Sequence, residues 1–388
     1  MISKFIRITT IPISLEKLLG GQMAYMKNYF DIVAVSSDRN ALIKIGEKEG
    51  VDVFLVEMTR QITLIKDIKA LCKLYSFLKK EKPLFVHSHT PKAGIIGMLA
   101  AWLAKVPCRL HTVAGMPLLE AVGFMRIILN FVEKLTYACA TNVYPNSYGL
   151  QDIIIQNKFC STKKLKVIAN GSSNGIDSSL FNSSLFIDKD KQILRNRHRI
   201  REHDFVFIFV GRLVSDKGIN ELIDVFNKIS KEYVCTKLLL VGSMEPELDS
   251  LKENTLEIIN SNKSIISVGW QSDVRPYFAI SDALVFPSYR EGFPNVVMQA
   301  GAMKLPSIVT DINGCNEIII EGQNGVIIPP KDANALQEKM ELFLTDKKFV
   351  SNLKSKSREM ITSRYEQKMV WGALLDEYKR LESQNQKL

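Results

Sequence analysis

The sequence places two cations at the end of an apolar run, in Phe209-Val-Gly-Arg-Leu-Val-Ser-Asp-Lys-Gly218. Gly211 has no side chain, so a ligand can come close to the backbone there. Arg212 and Lys217 follow on a loop that leads into a helix. An arginine fork and a lysine point charge can together grip a diphosphate; the plain alternative is a solvated charged loop. A second stretch is Pro287-Ser-Tyr-Arg-Glu-Gly-Phe-Pro-Asn-Val-Val-Met-Gln-Ala300. It reads as a strand, a turn holding Glu291, Gly292, Phe293 and Pro294, and a helix beginning near Asn295. The free amides at such a helix start form an anion site. Glu291, just before it, can accept hydroxyl hydrogen bonds from a neutral sugar, or simply cap the helix. A third stretch, Thr310-Asp-Ile-Asn-Gly-Cys-Asn-Glu-Ile-Ile319 with Glu321-Gly-Gln-Asn-Gly325, either shapes a pocket or is only a well-made connection.

Other reactive types are less telling. His87 and His89 alternate on one strand and face the same side, with one expected to reach an interdomain cleft. His111 sits on a strand and is expected to point into the core. Asp188-Lys-Asp190 mimics a metal-binding pair, but no apolar strand precedes it, and it reads as solvated surface. The six cysteines show neither a C-x-x-C pair nor zinc spacing, which argues against a disulfide framework or metal site and fits a reducing cytosol.

The elements that must hold these residues alternate between strand and helix. Short apolar runs at 5–9, 32–36, 53–56, 84–88, 109–113, 142–145 and 166–168 read as strands. Helices are expected at 15–28, 64–82, 91–104 and 118–139. The polar region 172–203 reads as a linker. The alternation restarts with strands at 205–210, 237–241, 264–268, 283–287, 307–310 and 325–328. Helices lie between them at 218–231, 247–260, 274–280, 296–303 and 333–345. The 388 residues suit two α/β domains of doubly wound parallel sheet, whose ligands lie at the carboxyl ends of the strands. The expected division is 1–185, 186–365 and a terminal amphipathic helix, 366–388, packing back across the domain interface.

The net charge of +10 is unevenly placed: residues 1–185 carry 23 Lys+Arg against 13 Asp+Glu, and residues 186–388 carry 28 of each. An anionic partner for the first half follows, either nucleic acid or an anionic membrane face. Lysines 66, 69, 73, 79, 80 and 82 surround apolar residues in 64–82. In 118–139 the only charges are Glu120, Arg126, Glu133 and Lys134, and Phe124, Met125, Ile128, Leu129 and Phe131 exceed one buried stripe. Basic faces beside exposed apolar residues favour the membrane surface over nucleic acid, the plain alternative being two ordinary packed helices. The opening MISKFIRITTIPIS lacks a long apolar run, so no secretory signal is expected.

Taken together, G-R-L-x-x-x-K-G at 211–218, E-G-F-P-N-V-V at 291–297 and D-x-x-G-x-x-E-I-I at 311–319 resemble the retaining glycosyltransferases of family 4 with the GT-B fold. The resemblance is strong over 205–330, where Val268-Gly-Trp ahead of Asp273 also fits. It is weaker over 1–170, where Gly20-Gly21 and His87-Ser-His-Thr-Pro-Lys-Ala-Gly94 are consistent with it. It implies two Rossmann-like domains facing a cleft, with the acceptor on the first and the nucleotide sugar on the second. It implies a hexosyltransferase moving a sugar, with retention, from a UDP-linked donor to a lipid-linked or oligosaccharide acceptor in bacterial cell-surface polysaccharide assembly. No metal or cofactor is implied, and the expected location is cytoplasmic, on the inner face of the cytoplasmic membrane.

By that resemblance Gly211, Arg212, Lys217, Glu291, Gly292, Phe293, Pro294, Asn295, Val296, Val297 and Gln299 form the donor site. Glu291 and His89 are the catalytic candidates, and Gly20, Gly21, His87 and Lys92 lie on the acceptor side. Two positions depart from the family pattern. Gln299 replaces the second glutamate of an E-x7-E pair that takes the ribose hydroxyls, and Ala114 stands where many members have a histidine. These departures keep a non-catalytic sugar-nucleotide or glycan-binding protein in view, beside a sugar-nucleotide epimerase on a related fold. A dinucleotide oxidoreductase is disfavoured, because Gly20-Gly21 is not G-x-G-x-x-G.

Overall fold

The computed structural model describes residues 2–59, 61–116, 118, 121–247 and 249–386. The chain divides into two compact units. The first comprises Met1–Gly175 and Gln367–Leu388, and the second is Ile176–Glu366. The division falls ten residues earlier than the charge and composition of the connection imply, and the terminal helix belongs to the first unit.

The first unit contains β1 (Lys4–Ile8), α1 (Pro12–Leu19), α2 (Gln22–Met26), β2 (Asp31–Ser36), α3 (Arg39–Glu49) and β3 (Asp52–Leu55). It continues with α4 (Leu64–Glu81), β4 (Phe85–Ser88), α5 (Pro91–Leu103), β5 (Cys108–Val113), α6 (Gly123–Cys139), β6 (Asn142–Pro145) and α7 (Tyr148–Gln156). The second holds α8 (Asp188–Arg197), β7 (Phe205–Val210), α9 (Ile219–Glu232), β8 (Thr236–Val241), α10 (Glu253–Ser261), β9 (Ile265–Ser267) and α11 (Arg275–Ala279). After these come β10 (Ala283–Phe286), α12 (Asn295–Ala302), β11 (Ser307–Thr310), α13 (Cys315–Ile318), β12 (Gly325–Ile328), α14 (Ala333–Thr345) and α15 (Lys347–Tyr365). The last helix, α16 (Gln367–Gln386), returns to the first unit.

Both sheets have six strands, in the orders β3-β2-β1-β4-β5-β6 and β12-β11-β10-β7-β8-β9, and every pairing is parallel. Each is the doubly wound order in which the chain runs outward through three strands, then returns beside the first and runs the other way, so that the order reverses between β1 and β4 and between β7 and β10. Ligands of such sheets lie at that reversal, beyond the carboxyl ends. Parallel strands covered on both faces read as continuous apolar runs, which is why most strands are visible in the sequence.

In the first unit one core lies under α4, α5 and α6. The other gathers α1, α2, α3 and α16, with Trp371, Leu374, Leu375, Tyr378 and Leu381 buried in it. Alternation along β1 sends Ile6 and Ile8 to the first core, and Phe5 and Arg7 to the α16 side.

Several elements differ from the sequence reading. The expected helix over 15–28 is two, broken at Gly20-Gly21, where Gly21 takes φ 78° and the ring of Trp371 packs on it. Lys166–Ile168 is not a strand; only Leu165 bridges to Val143. Residues 188–197 of the polar connection form α8, with Asp188 fully solvated. Helices α3 and α15 are largely polar and were not expected from the sequence, and neither was the short α7. The helix expected over 118–139 begins at Gly123, and Glu120 lies outside the described residues.

Candidate active site

The reversal point of the second sheet gathers the motif residues. Beyond β7 come Gly211 and Arg212, and beyond β10 the turn Pro287–Pro294 leads into α12. Two glycines clamp that turn. Gly218, at φ 69°, lies so close that an added Cβ would stand 2.2 Å from the carbonyl oxygen of Pro287. Gly314, at φ 79°, would place one 2.6 Å from the oxygen of Gly292. Both positions need a left-handed backbone and no side chain, so glycine alone fits.

Within the turn, Lys217 Nζ donates to Glu291 Oε1 at 2.6 Å, and the two side chains are 13% and 18% exposed. Ser288 Oγ, fully buried, donates to the same oxygen at 3.1 Å. Asn313 Nδ2 donates to the backbone oxygen of Glu291, tying the third motif to the second. Thr310 Oγ1 donates to the backbone oxygen of Ser288. Arg212 is more open and meets Glu245 at 3.5 Å. Arg290 pairs with Asp216 at 2.9 Å.

The expected division of labour is thus modified. Lys217 and Glu291 neutralise each other in the free protein, so the lysine expected to grip a diphosphate is already paired. Arg212 holds its carboxylate at a longer, solvated distance and is the readier cation.

Helix α12 begins after Pro294, which offers no side-chain cap. The amide of Val297 donates to Pro294 O at 3.2 Å and is engaged within the helix start itself. The amides of Asn295 and Val296 carry the helix-start field. Phe293 is buried against Tyr365, with ring centres 5.4 Å apart, and anchors the turn. Gly292 and Pro294 are buried and pack against Gly314, and Gln299 is half-buried in the second turn of α12. Ser288, Thr310 and Asn313 were not singled out from the sequence, although they lie inside the stretches 287–300 and 310–319.

In the first unit, His87 is fully buried. Its Nδ1 meets Tyr378 Oη and its Nε2 meets Thr112 Oγ1, both at 2.8 Å. Burial, first, and then His89, Arg7 and His111 hold it well below the usual histidine range. With both nitrogens engaged it has none left for an acceptor, which corrects that expectation. His89 is 2% exposed, with Nε2 2.9 Å from a guanidinium nitrogen of Arg7. His111 is in the core, as its strand position implies, with Nδ1 on Ser88 Oγ at 2.8 Å.

Gly20 and Gly21 form the α1–α2 break. The amide of Gly21 donates to Glu49 at 2.8 Å, and Gly20 O accepts from Asn174 at 3.0 Å. Lys92, in the first turn of α5, pairs with Asp67 at 2.5 Å. These contacts are structural in the free protein.

Residues 190–360 match the family model described as glycosyl transferases group 1, and residues 31–171 match a glycosyl transferase 4-like domain. The capsular polysaccharide biosynthesis glycosyltransferase CapM of Staphylococcus aureus is 32% identical over 97% of this chain and 96% of its own length. The chain belongs to the group 1 glycosyltransferases. An Escherichia coli relative, UDP-Gal:alpha-D-GlcNAc-diphosphoundecaprenol alpha-1,3-galactosyltransferase, is 29% identical over 84% of this chain and 83% of its own. Among solved structures, HepE of Anabaena in complex with UDP matches with a TM-score of 0.81 at 19% identity, covering 98% of this chain and 100% of that one. The shared fold is GT-B. As a glycosyltransferase, this protein has its three motifs where the geometry above places them, around the reversal point of the second sheet.

Proposed function

We propose that this glycosyltransferase moves a sugar, with retention of configuration, from a UDP-linked donor to a lipid-linked glycan in surface-polysaccharide assembly. The observation that carries the reading is the Lys217–Glu291 pair with Arg212 and the start of α12, all at one reversal point. Cations and helix amides there supply the positive charge that a departing diphosphate needs, so the reaction is expected to proceed without a metal. Gln299, one turn into α12, is the candidate ribose contact. The nature of the acceptor is supported by relatives whose names specify undecaprenol-diphosphate sugars, from Escherichia coli and Campylobacter jejuni.

A membrane-facing role for the first unit is supported by α6. It buries Glu133, Thr136, Tyr137 and Cys139, packs Leu129 and Leu135 against the core, and still leaves Phe124, Ile127 and Phe131 at 76%, 64% and 65% exposure. An ordinary surface helix turns polar residues outward. Across α5, helix α4 exposes Leu64, Ile65 and Ile68 among lysines. No helix among the described residues is long and apolar enough to cross a membrane. An anionic bilayer carrying the acceptor therefore fits as a surface on which this unit docks.

The test is mass spectrometry of products after incubation with a panel of sugar nucleotides and a polyprenyl-diphosphate sugar, with and without EDTA. One added sugar, with the anomeric configuration of the donor, in both conditions is expected. An inverted product, or turnover lost in EDTA and restored by Mg²⁺ or Mn²⁺, overturns that part of the mechanism. No transfer to any lipid-linked acceptor overturns the reading.

A further inference from the structure

Arg7 lies on β1 beside His87 in the strand register and is fully buried on the α16 side of the sheet. Its guanidinium stands 4.9 Å from the ring centre of Phe5 and 5.4 Å from that of Tyr378. One terminal nitrogen is 2.9 Å from His89 Nε2. Arginine has donors and no acceptor, so Nε2 must accept. The proton of a neutral imidazole then sits on Nδ1. The ring is kept neutral, since burial, first, and the charge of Arg7 hold His89 well below the usual histidine range.

His89 Nδ1 is a buried donor with no partner among the described residues. The ring borders a cavity of about 20 Å³ at the carboxyl ends of β4, β5 and β6, lined also by Thr112, Tyr144, Asn146, Ser172 and Ser173. Two more buried polar atoms on those walls lack partners among the described residues, Asn146 Oδ1 and Ser173 Oγ. Orphaned buried polar atoms are rare and costly, and three on one small cavity point to a missing polar group. Its chemistry follows from theirs. An anionic oxygen would be repelled by the amide oxygen of Asn146, and a cation by the N–H of His89. A hydroxyl accepts from His89, donates to Asn146 and can bond Ser173 in either sense. The volume suits one such group. The place is next to the β1–β4 reversal, where ligands of this sheet type lie.

We propose that this cavity recognises one hydroxyl of a pyranose, with His89 Nδ1–H donating and Asn146 Oδ1 accepting, and that Arg7 is a positioning residue that fixes the imidazole tautomer. The inference rests on the reading that the protein handles sugars. It gives His89 a recognition role in place of the catalytic one its motif implied, because neither ring nitrogen is free to take a proton. Acceptor glycan and donor sugar both offer a hydroxyl, and the experiment separates them.

The full-length protein labelled with ¹⁵N-histidine has five imidazoles to assign by long-range ¹H–¹⁵N NMR, His89 by its loss in His89→Gln. An Nδ1-protonated pattern is expected for His89 in the free protein. Methyl glycosides of glucose, galactose and N-acetylglucosamine, then UDP, then UDP-sugars, are titrated in turn. A His89 shift with a glycoside assigns the pocket to the acceptor, and a shift with a UDP-sugar but not UDP assigns it to the donor sugar. Asn146→Leu and the matching deoxy sugar should each weaken that response at least tenfold. Arg7→Met should give a mixture of tautomers, and Arg7→Lys, which keeps a charged donor and guards against a folding defect, should restore the single pattern.

An Nε2-protonated His89 in the wild-type protein overturns the proposal. So does a His89 signal that no sugar moves, which would leave the cavity to a water. If no sugar nucleotide binds, the proposed donor reaction fails, while the tautomer and glycoside titrations still decide the pocket.

Discussion

At Lys217, charge is shared before it is used. Its ammonium is held by Glu291 at 2.6 Å, while Arg212 keeps a looser contact with Glu245. Charge-assisted hydrogen bonds contribute about 1.5–3 kcal/mol each, so Arg212→Ala and Lys217→Ala should each lower donor turnover tenfold or more. The two should differ in stability. Lys217→Ala strands a mostly buried carboxylate and should lower the melting temperature, whereas Arg212→Ala should not. Steady-state kinetics and calorimetry on both variants check this; unchanged donor kinetics in both would remove the pocket from the mechanism. Gln299 offers a second case. An amide can accept from one ribose hydroxyl and donate to the other, lacking only the charge, a difference on the order of 1 kcal/mol. Gln299→Glu should leave donor KM within several-fold, Gln299→Ala should raise it more, and Glu291→Gln should strike kcat. If Gln299→Ala behaves as wild type and Gln299→Glu fails, the side chain does not face the ribose. The residues gathered at the β7–β10 reversal were legible because glycines, cations and a helix start recur within short stretches of sequence. The Arg7–His89 contact was not, since it joins positions 82 apart that only sheet pairing brings together. Its one local trace is a charge inside the apolar run of β1.

The strands were the easier elements to read, for covered parallel strands are apolar over most of their length. Helices α3, α8 and α15 were missed or read as linker because their outward faces are long and polar. Helix α6 was misjudged only at its start; its excess of apolar residues correctly pointed to exposure. The central strands β4 and β5 have a further consequence in their buried histidines. His111 is pushed down to about 4 by burial, and His87 and His89 shift the same way. A histidine held neutral in the fold stabilises it fully above its ordinary value near 6.5 and loses that contribution as pH falls towards the folded value. Glu133, pushed up to about 7 by burial, works in the opposite sense, favouring the fold at lower pH. Each titrating group changes stability by about 1.4 kcal/mol per pH unit, so three histidines outweigh one glutamate below pH 6.5. Hydrogen exchange, corrected for intrinsic rates, should show β4 and β5 losing protection between pH 7.5 and 5.5 while β7 and β8 lose less. Equal loss in both sheets would refute the assignment to these histidines.

For the whole molecule, the proposed membrane docking joins the charge excess and the exposed apolar face of α6 in one contact. Each lysine or arginine near an anionic bilayer contributes about 1 kcal/mol and is screened by salt, while buried apolar side chains are not. Sedimentation with phosphatidylglycerol vesicles should therefore show binding that weakens from low to physiological salt. In a Phe124→Ser, Ile127→Ser, Phe131→Ser triple variant it should fall further at both. Salt-insensitive binding, or an unaffected variant, would place the contact elsewhere. One feature of the chain path bears on how the protein is made. The first unit takes its last helix, α16, from residues that follow the whole of the second. At roughly 5–20 residues per second, a ribosome needs roughly 10–40 s to cross the intervening unit. During that interval the nascent first unit lacks Trp371, Tyr378 and Glu377, and so leaves Gly21, His87 and Tyr144 without their cover. Synthesis thus completes the second unit as a contiguous piece while the first waits for a missing wall, and chaperones that hold exposed apolar surface have their window on that face.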